Sequence, residues 1–397
     1  MSSPAPARPR PVHQAADLLA AYLPGSFYYS SARGSMLADG VYSPVQAAPG
    51  RRARAAAEVL DAALVAGVTE PVVAGAIGFR PDAPSSLVVP AVVRRAGPPT
   101  RSGPVAPLGG SWSVSPRPAP AVYTTAVTRA LDEIRDGDLR KIVLARCLDV
   151  TGGDPVAVPR LLARLVHADP AAHAFAVDVS APGDPAPRTL IGASPELLVS
   201  RRGRIVTANP LAGSRPRVAD EAENASRVSE LLASGKDRAE HAHVAAQVAE
   251  VLGRFCVDLE VPAEPEVIGT PTMWHLSTRI SGRLADPGDA GSSALALAEA
   301  LHPTPAVCGV PTGLARDTIA ALEPEDRGYY AGLVGWTDPT GDGEWVVTIR
   351  CAEVRDRTVR LFAGAGVVAG SDPEAELAET GAKFGTMLRA LGLEGVA

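Results

Sequence analysis

The pattern of hydrophobic and polar residues divides the first quarter of the chain into short alternating elements. Between Gln14 and about Val93, helical segments such as AADLLAAYL and RARAAAEVLDAAL alternate with apolar segments such as VVAGAIGF and SSLVVPAVV. Helical periodicity predicts amphipathic helices, and short apolar runs bounded by turn residues predict buried strands. This region is therefore expected to mix helices and strands.

The later elements are longer. Strands are predicted at KIVLARCLDV, TLIGASPELLVS and RIVTANPLAG, and two helical stretches run from Asp220 to Leu252. Near the C-terminus, EWVVTIRCAEV and TVRLFAGAGVV predict two long strands, with Trp345 and Arg350 on opposite faces of the first. Strands occur in adjacent runs as well as in alternation with helices, so the expected fold class is α+β.

A stretch rich in proline and glycine, RAGPPTRSGPVAPLGGSWSVSPRPAP, interrupts this pattern near residues 95–120. Turn signals outweigh periodicity there, which predicts a boundary or a long surface crossing. The first residues, 1–12, are rich in Pro and Ala and are expected to form a disordered tail. The predicted organisation is this tail, a variable part at residues 13–115, and a catalytic region at residues 116–397.

Composition and charge narrow the class of protein. The chain has 397 residues, of which 46% are hydrophobic, so it can bury a sizeable core. Its 38 basic and 44 acidic residues give a net charge of -6, which favours neither a nucleic-acid nor a membrane partner. No apolar run reaches membrane-spanning length, and the four cysteines form no CxxC pair. A soluble cytoplasmic protein is expected.

The final helix, PEAELAETGAKFGTMLRALG, carries the first candidate chemistry. Ser371 is the predicted N-cap, with Glu374 as its capping-box partner. Glu376, Glu379 and Lys383 follow at spacings that place them on one face of the helix. Two carboxylates one turn apart can share a divalent cation, and a lysine a turn further on can bind a substrate carboxylate. The alternative is a solvated helix face with an ordinary Glu–Lys pair.

A second acid pair lies in SGKDRAEHAHVAAQV, where Asp237 and Glu240 are three residues apart on a predicted helix. Magnesium binds few protein oxygens and is commonly completed by water and a substrate anion. Two helices that each offer an acid pair would suit this ion. By itself, the charged run KDRAEH is also typical of a solvated helix surface.

Two further residues are candidates for acid–base chemistry. Glu196 lies in the apolar segment IGASPELLVS, where partial desolvation would raise its pKa and suit a general acid. Lys141 opens a strand so hydrophobic that both faces should be buried, and a desolvated lysine there could act as a base. Each residue also has a purely structural alternative. Glu196 could lie at a turn before a strand, and Lys141 could extend its ammonium group from a strand end into solvent.

Together these segments resemble the chorismate-utilising enzymes, which include anthranilate, aminodeoxychorismate, isochorismate and salicylate synthases. The resemblance covers roughly residues 115–397. The family's motifs occur in order as KIVLAR, IGASPELLVS, NPLAGSRPR, SGKDRAEH, TPTMWHLST, LHPTPAVCGVP, EWVVTIRCA, LFAGAGVV and ETGAKF. The resemblance implies the anthranilate synthase component I-like fold, with large, mostly antiparallel sheets packed as a sandwich and helices outside.

The resemblance also implies catalytic and metal-binding roles. Lys141 would activate water for addition at C2 of chorismate, and Glu196 would protonate the departing C4 hydroxyl. Magnesium is the implied cofactor. Its implied ligands are Glu240 and Glu379, with Asp237 and Glu376 in the outer shell; Asp237 is one methylene shorter than the glutamate of salicylate-forming relatives.

The implied substrate-binding residues share the property of surrounding the chorismate ring or its carboxylates. They are Gly213, Ser214, His275, Ala306, Val307, Tyr330, Arg350, Gly364 and Lys383. A lysine at position 141, a small residue at position 306 and the motifs NPLAGSRP and LHPTPAVCGVP are most similar to isochorismate synthases of siderophore or menaquinone pathways. The siderophore type is preferred. A monomer is expected, with chorismate as substrate and no glutamine amidotransferase partner.

Overall fold

The computed structural model describes residues 14–83, 85–101, 103 and 105–394, so the predicted tail at residues 1–12 lies outside the described residues. The helices are α1 (Ala15–Ala20), α2 (Arg52–Val65), α3 (Pro120–Asp136), α4 (Val158–Ala168), α5 (Glu221–Ala233), α6 (Gly235–Leu252), α7 (Ala294–Leu301), α8 (Thr312–Leu322) and α9 (Pro373–Leu391), with a short 3-10 helix at Ala290–Ser292.

The strands follow in chain order. They are β1 (Phe27–Ser31), β2 (Gly34–Asp39), β3 (Ser43–Pro44), β4 (Val73–Ile77), β5 (Ser85–Val89), β6 (Val92–Ala96), β7 (Trp112–Arg117), β8 (Lys141–Gly152), β9 (His173–Asp178), β10 (Arg188–Ser194), β11 (Leu197–Arg202), β12 (Ile205–Asn209), β13 (Leu211–Pro216), β14 (Cys256–Glu260), β15 (Glu266–Gly269), β16 (Met273–Ser277), β17 (Ile280–Leu284), β18 (Gly309–Val310), β19 (Leu333–Thr337), β20 (Gly343–Val347), β21 (Cys351–Arg355) and β22 (Thr358–Val368).

These strands form two large sheets and one small sheet within the described ranges. The first sheet has the order β18-β8-β22-β21-β10-β9-β1-β2-β6, with β7 also paired to β8. The second has the order β14-β17-β12-β11-β20-β19-β4-β5-β3, and the small sheet has the order β13-β16-β15. Neighbouring strands are antiparallel, including the long β8–β22 pair. The predicted α+β class with antiparallel sheets is confirmed.

The hydrophobic core lies between the two large sheets, with a second core beneath the helices. Phe175 of β9 and Trp345 of β20 belong to one buried cluster, which therefore joins both sheets. Leu361 and Phe362 are adjacent in β22 but belong to different clusters, because successive strand residues point to opposite faces. Leu361 packs in the cluster that contains Phe384 of α9. Among the described helices, none is both long and apolar enough to cross a membrane.

The long strand predicted over residues 344–354 is wrong, because the chain leaves one sheet and enters the other. β20 ends at Val347 in the second sheet, and β21 begins at Cys351 in the first. Between them Arg350 has φ +50°, a left-handed conformation that is rare for residues other than glycine. The alternation of faces predicted across this segment therefore stops at the crossing.

The chain also changes sheets within the segment TLIGASPELLVS, for which strands were predicted. β10 ends at Ser194 in the first sheet and β11 begins at Leu197 in the second. Apolar residues continue on both sides of each crossing, and Glu196 lies in the turn directly before β11, as one of the two alternatives for this residue had it. The Pro/Gly-rich stretch also differs from prediction at its end, where β7 pairs with β8.

The predicted cap of the last helix is also wrong. Asp372 is the N-cap, and its side chain accepts a hydrogen bond from the Ala375 amide at 2.9 Å. Ser371 instead accepts from the Val368 amide at 3.2 Å, so it closes the turn after β22. Glu374 consequently lies one position too early in the helix for the predicted capping box.

Candidate active site

A cavity lies where the two strand crossings meet β22 and α9. The lining includes every residue predicted to bind substrate and three of the predicted catalytic or metal-binding acids: Gly213, Ser214, His275, Ala306, Val307, Tyr330, Arg350, Gly364, Lys383, Glu196, Glu240 and Glu379. Lys141, Asp237 and Glu376 lie behind this lining. The lining also contains residues that were not predicted from the sequence, among them Val143, Leu211, Ile349 and Gly366.

The two crossings are tied together beside the cavity. Ser194 Oγ donates to the Val347 carbonyl at 2.7 Å, and the Val347 amide donates to the Glu196 carbonyl at 3.2 Å. The Glu196 amide in turn donates to Ser194 Oγ at 3.2 Å. These bonds fix the backbone at the point where each strand changes sheets, and so position Glu196 and Arg350 toward the space between the sheets.

Glu196 is a buried acid with unused hydrogen-bonding capacity. Its side chain is 2% exposed, and within the described residues its Oε1 atom has no hydrogen-bond partner. Burial raises the pKa of Glu196 to about 7, against the opposing effects of a backbone hydrogen bond at Leu211 and the charges of Lys141, Arg350 and Lys383. A carboxyl group with this pKa can carry a proton near neutral pH, as a general acid must.

Arg350 and His275 form a buried donor–acceptor pair on the cavity wall. Arg350 Nη2 donates to His275 Nε2 at 3.1 Å, which requires that nitrogen to be unprotonated. Burial and the positive charges of Arg350 and Lys383 hold the pKa of His275 well below its usual range. His275 is therefore neutral. Among the described residues Arg350 Nε has no hydrogen-bond partner, so it can donate to an anionic ligand.

The face of α9 that enters the cavity carries Glu379 and Lys383. Their Oε1 and Nζ atoms lie 2.5 Å apart, and Lys383 also donates to the Gly364 carbonyl at 3.0 Å. Ser214 donates to Glu379 Oε1 at 3.0 Å. Burial alone would raise the pKa of Glu379, but Lys383 and Ser214 hold it below its ordinary value. The Glu–Lys pair expected of a solvated face is present, but it is partly buried in the cavity wall.

Lys141 is buried beneath the cavity and faces Glu240. Its side chain is fully buried, with Nζ 2.9 Å from Glu240 Oε1. The contact is an ion pair without hydrogen-bond geometry, so within the described chain the ammonium donors of Lys141 are unused. A Cβ atom at Gly366 would lie 2.3 Å from Glu240 Oε1, so the glycine makes room for this carboxylate. Gly364 and Gly366 share a strand face, a signal in the sequence that could have identified Gly366.

The remaining two acids are buried against basic partners. Asp237, 4% exposed, accepts from Arg215 Nη2 at 2.7 Å. Glu376, 1% exposed, accepts from Lys236 Nζ at 2.7 Å. Their burial excludes a simple solvated helix surface for either acid.

The predicted metal ligands are carboxylates, which suit a hard cation, but they are not already arranged around a metal position. The ammonium of Lys236 lies within electrostatic reach of Glu240, Glu376 and Glu379, so three carboxylates converge on one positive charge. Oxygen donors of this kind suit Mg²⁺. In the part of the chain that the structure describes, no group of three or more His, Cys, Asp or Glu residues is already arranged to hold a metal.

A buried ion pair supports the opposite side of the cavity. Arg327 pairs with Glu323 at 2.5 Å and donates to the carbonyls of Val307 and Val143, each at 2.7 Å. Glu323 accepts from the Ala145 amide at 2.8 Å. These groups fill the edge of β8 between its short pairings with β18 and β7. The pair thereby fixes Val307 and Val143, which line the cavity.

The chain belongs to the chorismate-binding enzyme family, whose sequence profile matches residues 108–392. It is 49% identical to isochorismate synthase DhbC of Bacillus subtilis (strain 168) over 96% of this chain and 97% of the relative. The predicted family is confirmed.

Solved structures agree with this assignment. A crystal structure assigned to a 2,3-dihydroxybenzoate-specific isochorismate synthase, DhbC, from Bacillus anthracis has a TM-score of 0.91 and 44% identity, covering 96% of this chain and all of that chain. Anthranilate synthase component I from Streptococcus pneumoniae TIGR4 has a TM-score of 0.70 and 23% identity, covering 90% of this chain and 92% of that chain. The second likeness concerns the fold alone and confirms the predicted architecture.

The raised pKa of Glu196 predicts a dependence of stability on pH. Folding raises this pKa from 4.5 to about 7, so between these values the folded state binds more protons than the unfolded state, and stability falls as pH rises. Glu196→Gln should flatten this fall by on the order of 3 kcal/mol. Urea unfolding at a series of pH values measures the slope.

Glu344→Gln provides a contrasting control. Burial would raise the pKa of Glu344, but His173, Tyr29 and Arg33 lower it to about 2, so its ionised form stabilises the fold above pH 4.5. Glu344→Gln should therefore lose stability at neutral pH.

The outcome for Glu196→Gln decides the prediction. If stability falls with pH equally steeply in wild type and in Glu196→Gln, Glu196 does not hold its proton into the neutral range.

Proposed function

We propose that this protein is an isochorismate synthase, an isomerase that converts chorismate to isochorismate with Mg²⁺. The observation that carries the proposal is the 49% identity to an isochorismate synthase over nearly the whole of both chains. The cavity supports it, because cationic Arg350 and Lys383 and the acid Glu196 line one space. Chorismate carries two carboxylates, which suit these cations.

The proposed reaction replaces the C4 hydroxyl of chorismate with a hydroxyl at C2. Lys141 takes a proton from water and the water oxygen bonds to C2. The C1=C2 double bond then shifts to C1=C6, the C5=C6 double bond shifts to C4=C5, and the C4 hydroxyl departs as water with a proton from Glu196. Lys141 can act as a base only in its neutral form, so its ion pair with Glu240 must first be broken. Glu196 must be protonated, so turnover should decline as pH rises above about 7.

Other residues of the cavity would bind and orient chorismate. Arg350, Lys383, Tyr330 and the backbone at Gly364 would hold the pyruvyl carboxylate. Neutral His275 fixes the guanidinium of Arg350 for that task. Gly213, Ser214, Ala306 and Val307 would surround the ring. The small apolar side chains of Ala306 and Val307 offer no polar group for a second chemical step at that wall.

Glu240 and Glu379 would hold the magnesium ion, with Asp237 and Glu376 farther out. When bound, the metal would supply positive charge for the ring carboxylate and replace Lys141 as the partner of Glu240. The name of the Bacillus anthracis relative supports a product destined for 2,3-dihydroxybenzoate. We further propose that the enzyme acts in the cytoplasm as a monomer, without a glutaminase subunit.

A product assay tests the proposed reaction. Chorismate and Mg²⁺ should give isochorismate alone, identified by chromatography against both standards. Accumulation of salicylate and pyruvate without isochorismate would instead identify a salicylate synthase. A requirement for ammonia would identify an aminating synthase, and binding without turnover would identify a chorismate-binding subunit.

Lys141 and Glu196, the proposed base and acid, are expected to be needed for turnover but not for chorismate binding. Lys141→Ala and Glu196→Gln should each reduce kcat by at least about a hundredfold, the usual contribution of a general acid or base, while chorismate still binds. Binding is measured by calorimetry and turnover by product formation. Glu353→Gln is the control, because Glu353 lies on β21 and does not line the cavity. Loss of chorismate binding in Lys141→Ala would assign that lysine to substrate holding rather than to catalysis.

If Glu240 holds the metal, adding a methyl group at Gly366 should weaken Mg²⁺ binding. Gly366→Ala would place a Cβ atom 2.3 Å from Glu240 Oε1, so the carboxylate must move. The Mg²⁺ concentration for half-maximal rate should rise at least about tenfold, since loss of one good ligand contact costs more than about 1.4 kcal/mol.

Gly385→Ala is the matched control for this measurement. Its added Cβ atom would meet Thr272 at 3.6 Å, an ordinary contact on α9 away from the carboxylates, so its Mg²⁺ requirement should equal that of wild type. Full activity after chelation of divalent ions would contradict the metal proposal.

A further inference from the structure

Lysine is rare in this chain. Only three of its 38 basic residues are lysines, at positions 141, 236 and 383, and all the others are arginines. Two of the three, Lys141 and Lys383, lie in the site described above. Arginine is not equivalent to lysine at such positions, because its guanidinium is planar and binds through a fixed fork of donors. The third, Lys236, therefore requires an explanation.

Helix stability does not explain Lys236. The residue lies in the first turn of α6, two residues after Ser234, which caps the helix by accepting from the Asp237 amide. The helix dipole disfavours a positive charge at this end, where acidic residues are stabilising. Lys236 is present despite this effect, so the reason for it lies in a tertiary contact.

Lys236 makes its tertiary contact with Glu376, a buried carboxylate on α9. Lys236 Nζ donates to Glu376 Oε1 at 2.7 Å, and Glu376 is 1% exposed while Lys236 remains 36% exposed. A buried carboxylate without a partner is strongly unfavourable. Glu240 and Glu379 also attract the Lys236 ammonium, and each has its own lysine in contact. Lys236 thus lies at the solvent side of a group of acids proposed to hold a cation.

A lysine ammonium can move away from Glu376 more easily than an arginine guanidinium could. The ammonium is a compact point charge on a flexible stem, whereas a guanidinium would bind the carboxylate through two parallel hydrogen bonds. We propose that Lys236 is a positioning residue that acts as an exchangeable counter-ion, neutralising Glu376 and its neighbours in the metal-free enzyme and yielding to the divalent cation. The inference rests on the magnesium site proposed above.

Metal affinity and metal-dependent stability test the proposal without measuring turnover. In Lys236→Met the repulsion between ammonium and cation is lost, so the Kd for Mg²⁺ by calorimetry should fall about tenfold. Lys236→Arg keeps the charge but binds Glu376 more firmly, so its Kd should rise above that of wild type. Arg238→Met on the same helix is the control, because its partner Glu264 is exposed, and its Kd should be unchanged.

Thermal unfolding supplies the second measurement, with and without MgCl2 at constant ionic strength. Lys236→Met should be less stable than wild type without metal and should recover with saturating Mg²⁺, because the ion replaces the missing charge. A loss of stability that Mg²⁺ does not reverse, with an unchanged Kd, would make Lys236 an ordinary structural residue. If wild type binds Mg²⁺ and neither variant alters the Kd, this inference alone fails. If wild type binds no Mg²⁺, the metal proposal fails with it.

Discussion

The crossing of the chain between its two large sheets controls the geometry of the site. At Ser194–Glu196 and again at Thr348–Arg350 the backbone leaves one sheet for the other, and hydrogen bonds between Ser194, Val347 and Glu196 hold the two crossings side by side. A residue within a regular strand must face one layer or the other. Residues at a crossing can face the gap between the sheets, so an acid and a guanidinium can enter a space otherwise filled by apolar side chains. The left-handed backbone of Arg350 is the local cost of that placement.

Charge pairing explains how so many ionisable groups remain buried in one place. Glu240, Glu376 and Glu379 each contact a different lysine, and Asp237 contacts Arg215. Glu196 differs because no ion pair joins it to another described residue, and burial raises its pKa to about 7. The same environment therefore contains acids paired with basic side chains and one unpaired acid whose burial suits proton transfer.

Much of the site could be predicted from the sequence, since its helical part depends on local spacing. Glu379 and Lys383 are one turn apart, and any helix at that position places them on one face. The apolar flanks of Glu196 similarly indicated its burial. The crossing at Thr348–Arg350 could not be predicted, because the segment from Trp345 to Cys351 keeps a strand-like pattern through the point where it changes sheets. Nor could the partners of Lys141 and Lys236, which come from distant segments brought together only by the fold. The N-cap at Asp372 was missed because Ser371 and Asp372 are both good capping residues.

The N-terminal strands belong to both large sheets: β1 pairs with β9 in one, and β4 pairs with β19 in the other. The part of the chain matched by the family profile begins only at residue 108. A fragment trimmed to that match would therefore leave β9 and β19 as open edges, each presenting unpaired backbone groups to solvent. Open edges of this length recruit other chains. The described residues of the N-terminal third contribute nothing to the cavity lining, yet their strands cover both of these edges.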